Sequence, residues 1–380
     1  MMMTIDLYTI LAGGVLLLLA LLTPMCSAFF RRPVIAETDD DGREKLPTFS
    51  IVMTAHDNAR ELECNLPQFL SQQYAAGYEV IVVDESSADD TDDVLTQLKA
   101  AHPNLYTTYI PDSSHYLSRR KLALTLGIKA AKNEWLILTD ISCRPEGDGW
   151  LTAMGRQATS DNDMVLGYTD YEDAPLYWRF DRLQTMCYQL KKALTGTAYR
   201  YEGHNLALRR SIFMANNGFL NNLKYLRGEY DMTVNEYATP GRTAIANEPA
   251  ARMHQERPSK KEWTYSHLYY IESRKHMKRG FTWRLQHNID QWALHLNYIA
   301  ELAAGAWAAV TQNWLLFAAA LVALVLTLAL RTLWARKAAA DYDQHMPLLT
   351  VPFLELRYVW QQLAFLLRYR LADPYDFIRR

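Results

Sequence analysis

The chain has 380 residues and carries 40 Lys+Arg against 42 Asp+Glu, a formal net charge of -2. That balance offers no electrostatic footprint for nucleic acid, and the uneven spread of apolar residues points to one soluble domain plus membrane segments. Cys26, Cys64, Cys143 and Cys187 stand far apart with no C-x-x-C pair, which excludes a zinc ligand set or disulfide framework and suits a reducing compartment.

Residues 1–32 read as an N-terminal anchor. Leu7 to Phe30 is apolar apart from Tyr8, Thr9, Thr23 and Ser27, long enough for a bilayer core of about 30 Å. The start is not basic, and Arg31 and Arg32 follow the span, so an uncleaved anchor is favoured over a secretory signal. The same two arginines predict that the next domain faces the cytoplasm, at the inner membrane. Residues 33–47, with Asp39-Asp40-Asp41-Gly42, form a polar linker.

From residue 48 to 265 a regular alternation is expected. Strand-like runs at Phe49–Thr54, Glu79–Val83, Leu105–Ile110 and Trp135–Thr139 alternate with helical stretches at Ala59–Gln73, Asp92–Ala101 and Arg119–Ala131. Short strands, apolar on both faces and separated by helix-length segments, predict a mostly parallel sheet covered on both sides, an α/β domain of the doubly wound kind. The first strand runs into His56-Asp57-Asn58, the second ends on Asp84-Glu85-Ser86-Ser87, and the fourth on Asp140-Ile141-Ser142. Ligands bind beyond the carboxyl ends of such strands, so these three tips should converge on one crevice. Any one of them alone would more often cap the next helix. No G-x-G-x-x-G or G-x-x-x-x-G-K-[ST] loop follows the first strand, which leaves a dinucleotide dehydrogenase or a P-loop ATPase poorly supported. A carboxylate-lined nucleotide site remains, and a carboxylate facing a diphosphate generally needs a divalent cation between them. Lys121, Arg119 and Arg120 open a helix near the tips, where they can meet a diphosphate; for two of the three a solvated helix start is the alternative.

Residues 266–290 are expected to form a juxtamembrane helix and 291–335 a transmembrane hairpin. Trp314–Leu330 is apolar apart from Thr327, whereas Trp292–Val310 is interrupted by His295, Asn297 and Glu301. Basic residues flank both ends of this region, so two spans joined at Thr311-Gln312-Asn313 satisfy the charge rule where one span does not. An amphipathic interfacial helix is the other reading of Trp292–Val310. In the tail, 336–380, the mixture of Leu, Phe, Trp and Tyr with Arg357, Arg368 and Arg370 reads as a helix on the anionic leaflet or one packed on the soluble domain.

Segments 49–58 (FSIVMTAHDN) and 79–91 (EVIVVDESSADDT), then Arg120-Lys121, 127–131 (GIKAA), 135–140 (WLILTD), 203–210 (GHNLALRR), 217–219 (NGF) and 228–231 (GEYD), resemble in order the family 2 glycosyltransferases of GT-A fold. The resemblance covers roughly residues 48–260. It implies an inverting, membrane-anchored hexosyltransferase that takes its sugar from a nucleotide-diphosphate donor, with UDP the favoured nucleotide, and passes it to a lipid-linked or surface-polysaccharide acceptor.

By the same resemblance Ala55 and Asp57 border the base, Asp84 hydrogen-bonds it, and Asp140 opens the D-x-D motif that meets the ribose and a metal-bound diphosphate. Ser142 stands at the motif's second position, where Asp is usual. A serine hydroxyl is a weaker ligand for Mg²⁺ or Mn²⁺ than a carboxylate. The implied metal set is therefore Asp140 and Ser142, helped by His254. Glu229 or Asp231 supplies the catalytic base, although Tyr230 separates what is usually an adjacent Glu-Asp pair. Gly203, His204 and Asn205 line the acceptor side. Gln255, Arg257 and Trp263 carry the letters of the processive Q-x-x-R-W motif at the wrong spacing, which favours addition of a single sugar. The alternative from another class is a degenerate domain of this fold that binds nucleotide sugars, as an assembly or regulatory partner, without turnover.

Overall fold

A computed structural model describes residues 6–30, 46–111 and 118–373 of the chain. Most of the expected linker, the arginines at 31 and 32, and residues 374–380 lie outside them. In chain order the elements are α1 (Leu7–Leu22), β1 (Phe49–Ala55), α2 (Ala59–Leu70), β2 (Tyr78–Asp84), α3 (Thr91–Ala101), β3 (Leu105–Tyr109), α4 (Arg119–Ala130), β4 (Trp135–Leu138), β5 (Cys143–Pro145), α5 (Trp150–Gln157), β6 (Met164–Gly167) and β7 (Thr169–Tyr171). They continue with α6 (Leu176–Thr195), β8 (Leu206–Arg209), α7 (Arg210–Ala215), α8 (Glu229–Tyr237), β9 (Thr243–Ala246), β10 (Met253–Gln255), α9 (Lys260–Ser273), α10 (Gly280–Val310), α11 (Trp314–Asp341) and α12 (Val351–Leu371). These fall into two compact units: residues 6–30, 183–188 and 279–364 form a helical one, and the remaining described residues an α/β one.

In the α/β unit seven strands lie in the order β3-β2-β1-β4-β8-β6-β9, and β5-β10-β7 form a small second sheet. The first four strands pair in parallel, as the alternation of elements predicts, and β8 runs antiparallel to both β4 and β6. All seven residues of β1 are buried. Phe49, Ile51 and Met53 join a core with Leu62, Leu66 and Phe69 of α2 and Trp150 of α5, while Val52 points the other way, toward α4. There Gly127 is required: a Cβ at that position would stand 2.5 Å from Val52 Cγ1, so α4 can approach β1 only without a side chain. The register pairs Ala55 with Asp84 and Val52 with Leu138, so the ends of β2 and β4 flank the end of β1.

Within the helical unit α1, α10 and α11 pack through small residues, with Ala20, Ala308, Ala320 and Ala323 buried beside Leu16 and Leu316. Leu7–Cys26 and Trp314–Asp341, of mean hydropathy 2.2 and 2.3, are long and apolar enough to cross a membrane. The interruptions in α10 have a structural reason. Asn297 Nδ2 donates to Glu301 at 2.8 Å and Thr327 of α11 donates to the same carboxylate at 2.6 Å, while Trp292, Leu296, Ile299 and Leu302 stay exposed. Asn297 and Glu301, two of the polar residues that weaken this apolar run, therefore face the neighbouring helix.

The helix expected over 266–290 is divided. α9 ends at Ser273 and α10 begins at Gly280, after Arg279 takes a left-handed φ of 62°. Near the end of α12, Phe365 packs on Trp263 and His267 of α9, and Trp263 stacks on Trp178 of α6 at 4.6 Å.

Candidate functional site

The crevice is built from the tips of β1, β2 and β4, the start of α4 and the start of α8. Beyond β1 and β2 the two loops are stitched together. Asp57, with a left-handed φ of 54°, accepts from the Ala88 N–H at 2.7 Å, and its own N–H donates to Ser87 Oγ at 2.9 Å. Asp84 accepts from the Ser87 N–H at 3.1 Å and from the Ser87 hydroxyl. The half-buried Asp84 and the half-exposed Asp57 thus hold the shape of this end of the sheet and retain lone pairs for a further donor. Ala55 is buried between them, and its carbonyl accepts from the Glu85 N–H at 2.8 Å.

On the other side of β1, Asp140 sits two residues beyond the end of β4 with a side chain 14% exposed. Its Oδ1 accepts from the Ser142 N–H at 3.0 Å and the Ser142 hydroxyl at 2.7 Å, and its Oδ2 accepts from Arg120 Nη2. Burial alone would lift its pKa, yet the Arg120 charge, with His204 and the Ser142 hydrogen bonds behind it, holds the carboxyl well below the usual range. The Asp140–Ser142 turn is pinned from outside by Asn65, whose Nδ2 donates to the Ile141 carbonyl at 2.9 Å, and by the Glu256 N–H, which donates to the Ser142 carbonyl at 2.8 Å.

Three consecutive basic residues open α4 behind the cap of Ser118, and at 100° per residue they point three ways. Arg119 donates to the Glu85 carbonyl at 2.8 Å and Ser86 Oγ at 2.9 Å. Arg120 turns into the crevice toward Asp140. Lys121 is fully buried, and its ammonium donates to the carbonyls of Asn222, Tyr225 and Arg227 at 2.8, 2.7 and 3.3 Å. The expectation that Lys121 meets a diphosphate is therefore corrected: its three donors are spent holding the loop before α8. Lys121→Met should lower stability by about 1–3 kcal/mol through those stranded carbonyls. Nucleotide affinity should stay within about threefold of wild type, and a larger loss by calorimetry in a folded variant would return Lys121 to the ligand.

Gly228, at a φ of 95°, lets the chain turn sharply into α8. Glu229 and Asp231 are two residues apart on its first turn and so face different sides. Glu229 is buried with Oε1 lacking a hydrogen-bond partner among the described residues. Burial pushes its pKa up, but Arg227, Arg120 and Lys121 outweigh that and leave it lowered, so the carboxylate is ionised at neutral pH. Asp231 instead accepts from Arg200 Nε at 2.9 Å, and burial, only partly offset by Arg200, raises its pKa to about 6. Tyr230 reaches across to donate to the Thr139 carbonyl at 2.9 Å and packs edge-on against His204. The residue that separates the two carboxylates thus ties α8 to the tip of β4.

Of the expected acceptor residues, His204 belongs to this cluster and Asn205 does not. His204 has a left-handed φ of 52° and a buried Nδ1 without a hydrogen-bond partner among the described residues. Burial lowers its pKa to about 4 against the pull of Asp140, so the ring is neutral at pH 7. Asn205 is completely buried, donating to the Ala251 carbonyl at 2.9 Å and accepting from Trp150 Nε1 at 3.3 Å, so it cannot line an acceptor surface. Gly203 is buried beside them.

His254 is paired in β10 opposite Arg144 and Asp170. Its Nδ1 bonds Asp170 Oδ1 at 2.6 Å and its Nε2 bonds Glu146, and these hydrogen bonds outweigh burial to raise its pKa to about 9. A doubly held imidazolium offers a metal no lone pair. Because this pKa lies above the ordinary histidine value, the pairing stabilises the fold fully below about pH 6.5 and loses its effect as pH rises through 9. Chemical denaturation of wild type should show that decline, and His254→Gln should flatten it.

The donors do not form a divalent-cation site as arranged. Both Asp140 oxygens accept hydrogen bonds, the Ser142 hydroxyl donates to one of them, and His254 is held between Asp170 and Glu146. Among the described residues no group of three or more His, Cys, Asp or Glu side chains is set to hold a metal ion. Of the residues expected to hold Mg²⁺ or Mn²⁺, Ser142 is hydrogen-bonded to Asp140, whereas His254 is engaged by Asp170 and Glu146. The sequence put Arg119, Arg120 and Lys121 together at the diphosphate end, and helix phase is what separates Arg120 from the other two.

Residues 50–215 match the model of glycosyl transferase family 2. Among solved structures, the mannosyltransferase PcManGT from Pyrobaculum calidifontis, in complex with GDP-Man and Mn²⁺, aligns at 16% identity over 88% of this chain and 97% of its own, with a TM-score of 0.53. That likeness shows a shared fold. S. aureus TarS 1-349 aligns at 13% identity over 83% of this chain and 92% of its own, with a TM-score of 0.42. Its complex with UDP-GlcNAc aligns at 12% over the same shares, with a TM-score of 0.41. No curated protein sequence matches the chain.

Proposed function

We infer that this chain, whose residues 50–215 match glycosyl transferase family 2, is a glycosyltransferase that moves one sugar, with inversion, from a nucleotide-diphosphate donor to a lipid-linked or surface-glycan acceptor. UDP is the favoured nucleotide. Asp57 and Asp84, across the buried Ala55, receive the base, and the Arg120–Asp140 pair faces the diphosphate. One observation carries the reading: β1, β2 and β4 end side by side, and α8 brings to the same end an ionised Glu229 whose Oε1 has no hydrogen-bond partner among the described residues.

Glu229 is the base. The acceptor hydroxyl gives its proton to Glu229 as its oxygen bonds the sugar's anomeric carbon, and the bond from that carbon to the β-phosphate oxygen breaks with its electron pair leaving on the nucleoside diphosphate. Asp231 is a poorer candidate because its carboxylate is held by Arg200. His204, neutral and strained at the same tip, is placed to orient the acceptor, with Gly203 allowing close approach. The helices α1 and α11 anchor the chain in a bilayer, and the arginines after the first span put the α/β unit on the cytoplasmic side.

Purified full-length chain in detergent, incubated with UDP- and GDP-sugars, should release nucleoside diphosphate from one of them, and Asp140→Asn should abolish that release while keeping its melting transition. A second reading, a nucleotide-sugar-binding domain without turnover, draws on Ser142 standing beside Asp140. Stabilisation by a nucleotide sugar with no release of nucleoside diphosphate, even with lipid-linked acceptors present, would favour it. No stabilisation and no release from any donor would sink both.

A further inference from the structure

The diphosphate end of the crevice needs positive charge, and Arg120 is placed there to supply it. Arg120 is a permanent cation whose planar fork carries five N–H donors. One of them, on Nη2, bonds Asp140 Oδ2, which fixes the guanidinium at the tip of β4. Its Nε is buried and has no hydrogen-bond partner among the described residues. Ser142, within the same turn, points its hydroxyl at the other Asp140 oxygen and so completes a seat for the arginine. One Asp140 oxygen thus holds the cation and the other is held by Ser142, while the histidine of the small second sheet is bonded by Asp170 and Glu146.

We propose that the Arg120 guanidinium, seated on Asp140 and Ser142, takes the place of a divalent cation, binding the donor's diphosphate and neutralising the leaving nucleoside diphosphate, so that transfer runs without metal. This rests on the nucleotide-sugar reading above. The step balances as written there: the proton passes from the acceptor oxygen to Glu229, the electron pair of the breaking carbon–oxygen bond stays on the β-phosphate oxygen, and Arg120 remains protonated throughout. Asp140 acts as a positioning residue, because it holds Arg120 rather than a metal. Fixed donors aimed at developing charge need no reorganisation during the reaction, which is what such a seat provides.

The test is calorimetric binding of UDP and of GDP to the full chain, with donor turnover beside it, each in EDTA and then with saturating Mn²⁺ or Mg²⁺. Affinity and turnover in EDTA should lie within about tenfold of the values with metal, Arg120→Met should weaken nucleotide affinity by more than about tenfold, and Arg120→Lys should recover part of it. Wild-type affinity or turnover that rises more than about tenfold with either metal overturns the inference while leaving the nucleotide-sugar reading intact. So does an Arg120→Met chain that melts like wild type and binds nucleotide as tightly. If Arg120→Met fails to fold, the wild-type comparison in EDTA decides by itself. Absence of UDP and GDP binding under every condition is a different outcome, and it overturns the nucleotide-sugar reading together with this one.

Discussion

Glu229→Gln should lower transfer by roughly 10²–10⁴-fold while donor affinity stays within about threefold of wild type. The amide keeps the size and burial of the side chain but accepts no proton at neutral pH. Glu229 qualifies because it is buried, ionised and short of one hydrogen-bond partner, with three nearby cations holding its pKa down. Asp231→Asn is the control. It removes a charge paired with Arg200, so its main effect should fall on stability, with turnover reduced less than in Glu229→Gln. Single-turnover rates beside calorimetric affinities separate the two carboxylates. A Glu229→Gln chain that keeps wild-type turnover, with Asp231→Asn inactive but folded, would move the base to Asp231.

Arg331→Met should cost the helical unit about 3–5 kcal/mol, the effect of stripping the cation from a buried network. Arg331 is 2% exposed and donates to Glu355 at 2.9 and 3.1 Å, to Asp290 at 3.1 Å and to the Thr23 carbonyl at 3.3 Å. Tyr188 adds a hydrogen bond to the other Asp290 oxygen at 2.6 Å. Methionine fills much of the volume but leaves two buried carboxylates facing no cation. Denaturation in detergent reads the loss, and adding Asp290→Asn and Glu355→Gln to Arg331→Met should recover part of it, because the stranded charges then disappear. Equal stability of the single variant and wild type would mean that this network contributes specificity of packing and not stability.

That network explains why the C-terminal third was harder to read than the first half of the α/β unit. Arg331 closes an apolar run and looks like a flanking charge, and Glu355 looks like a polar residue on an interfacial helix. Their pairing joins α11 to α12 across 24 positions of sequence, and nothing local announces it. The four parallel strands were legible for the opposite reason. Both faces of β1, β2 and β4 are covered, so each strand is a near-continuous apolar run, and the end of each run marks a tip. The match of residues 50–215 to a glycosyltransferase family accords with the ordered motifs that carried the resemblance.

By itself the sequence determined that the chain holds an α/β domain and apolar helices, and that Asp57, Asp84 and Asp140 follow strand-like runs, because periodicity and the residue at which each apolar run stops are local properties. The pairing of Glu229 and Asp231 as candidate bases came from the family resemblance. Only the tertiary structure decided which side chain of each group turns inward. Arg119, Arg120 and Lys121 are adjacent in the chain but diverge by about 100° each around α4, so one meets the loop after β2, one meets Asp140 and one is buried against the loop before α8. Glu229 and Asp231 part in the same way, one toward Arg120 and one onto Arg200. Charge at the end of a strand can be read from the chain, whereas the partner that charge selects depends on helix phase and on what packs across from it.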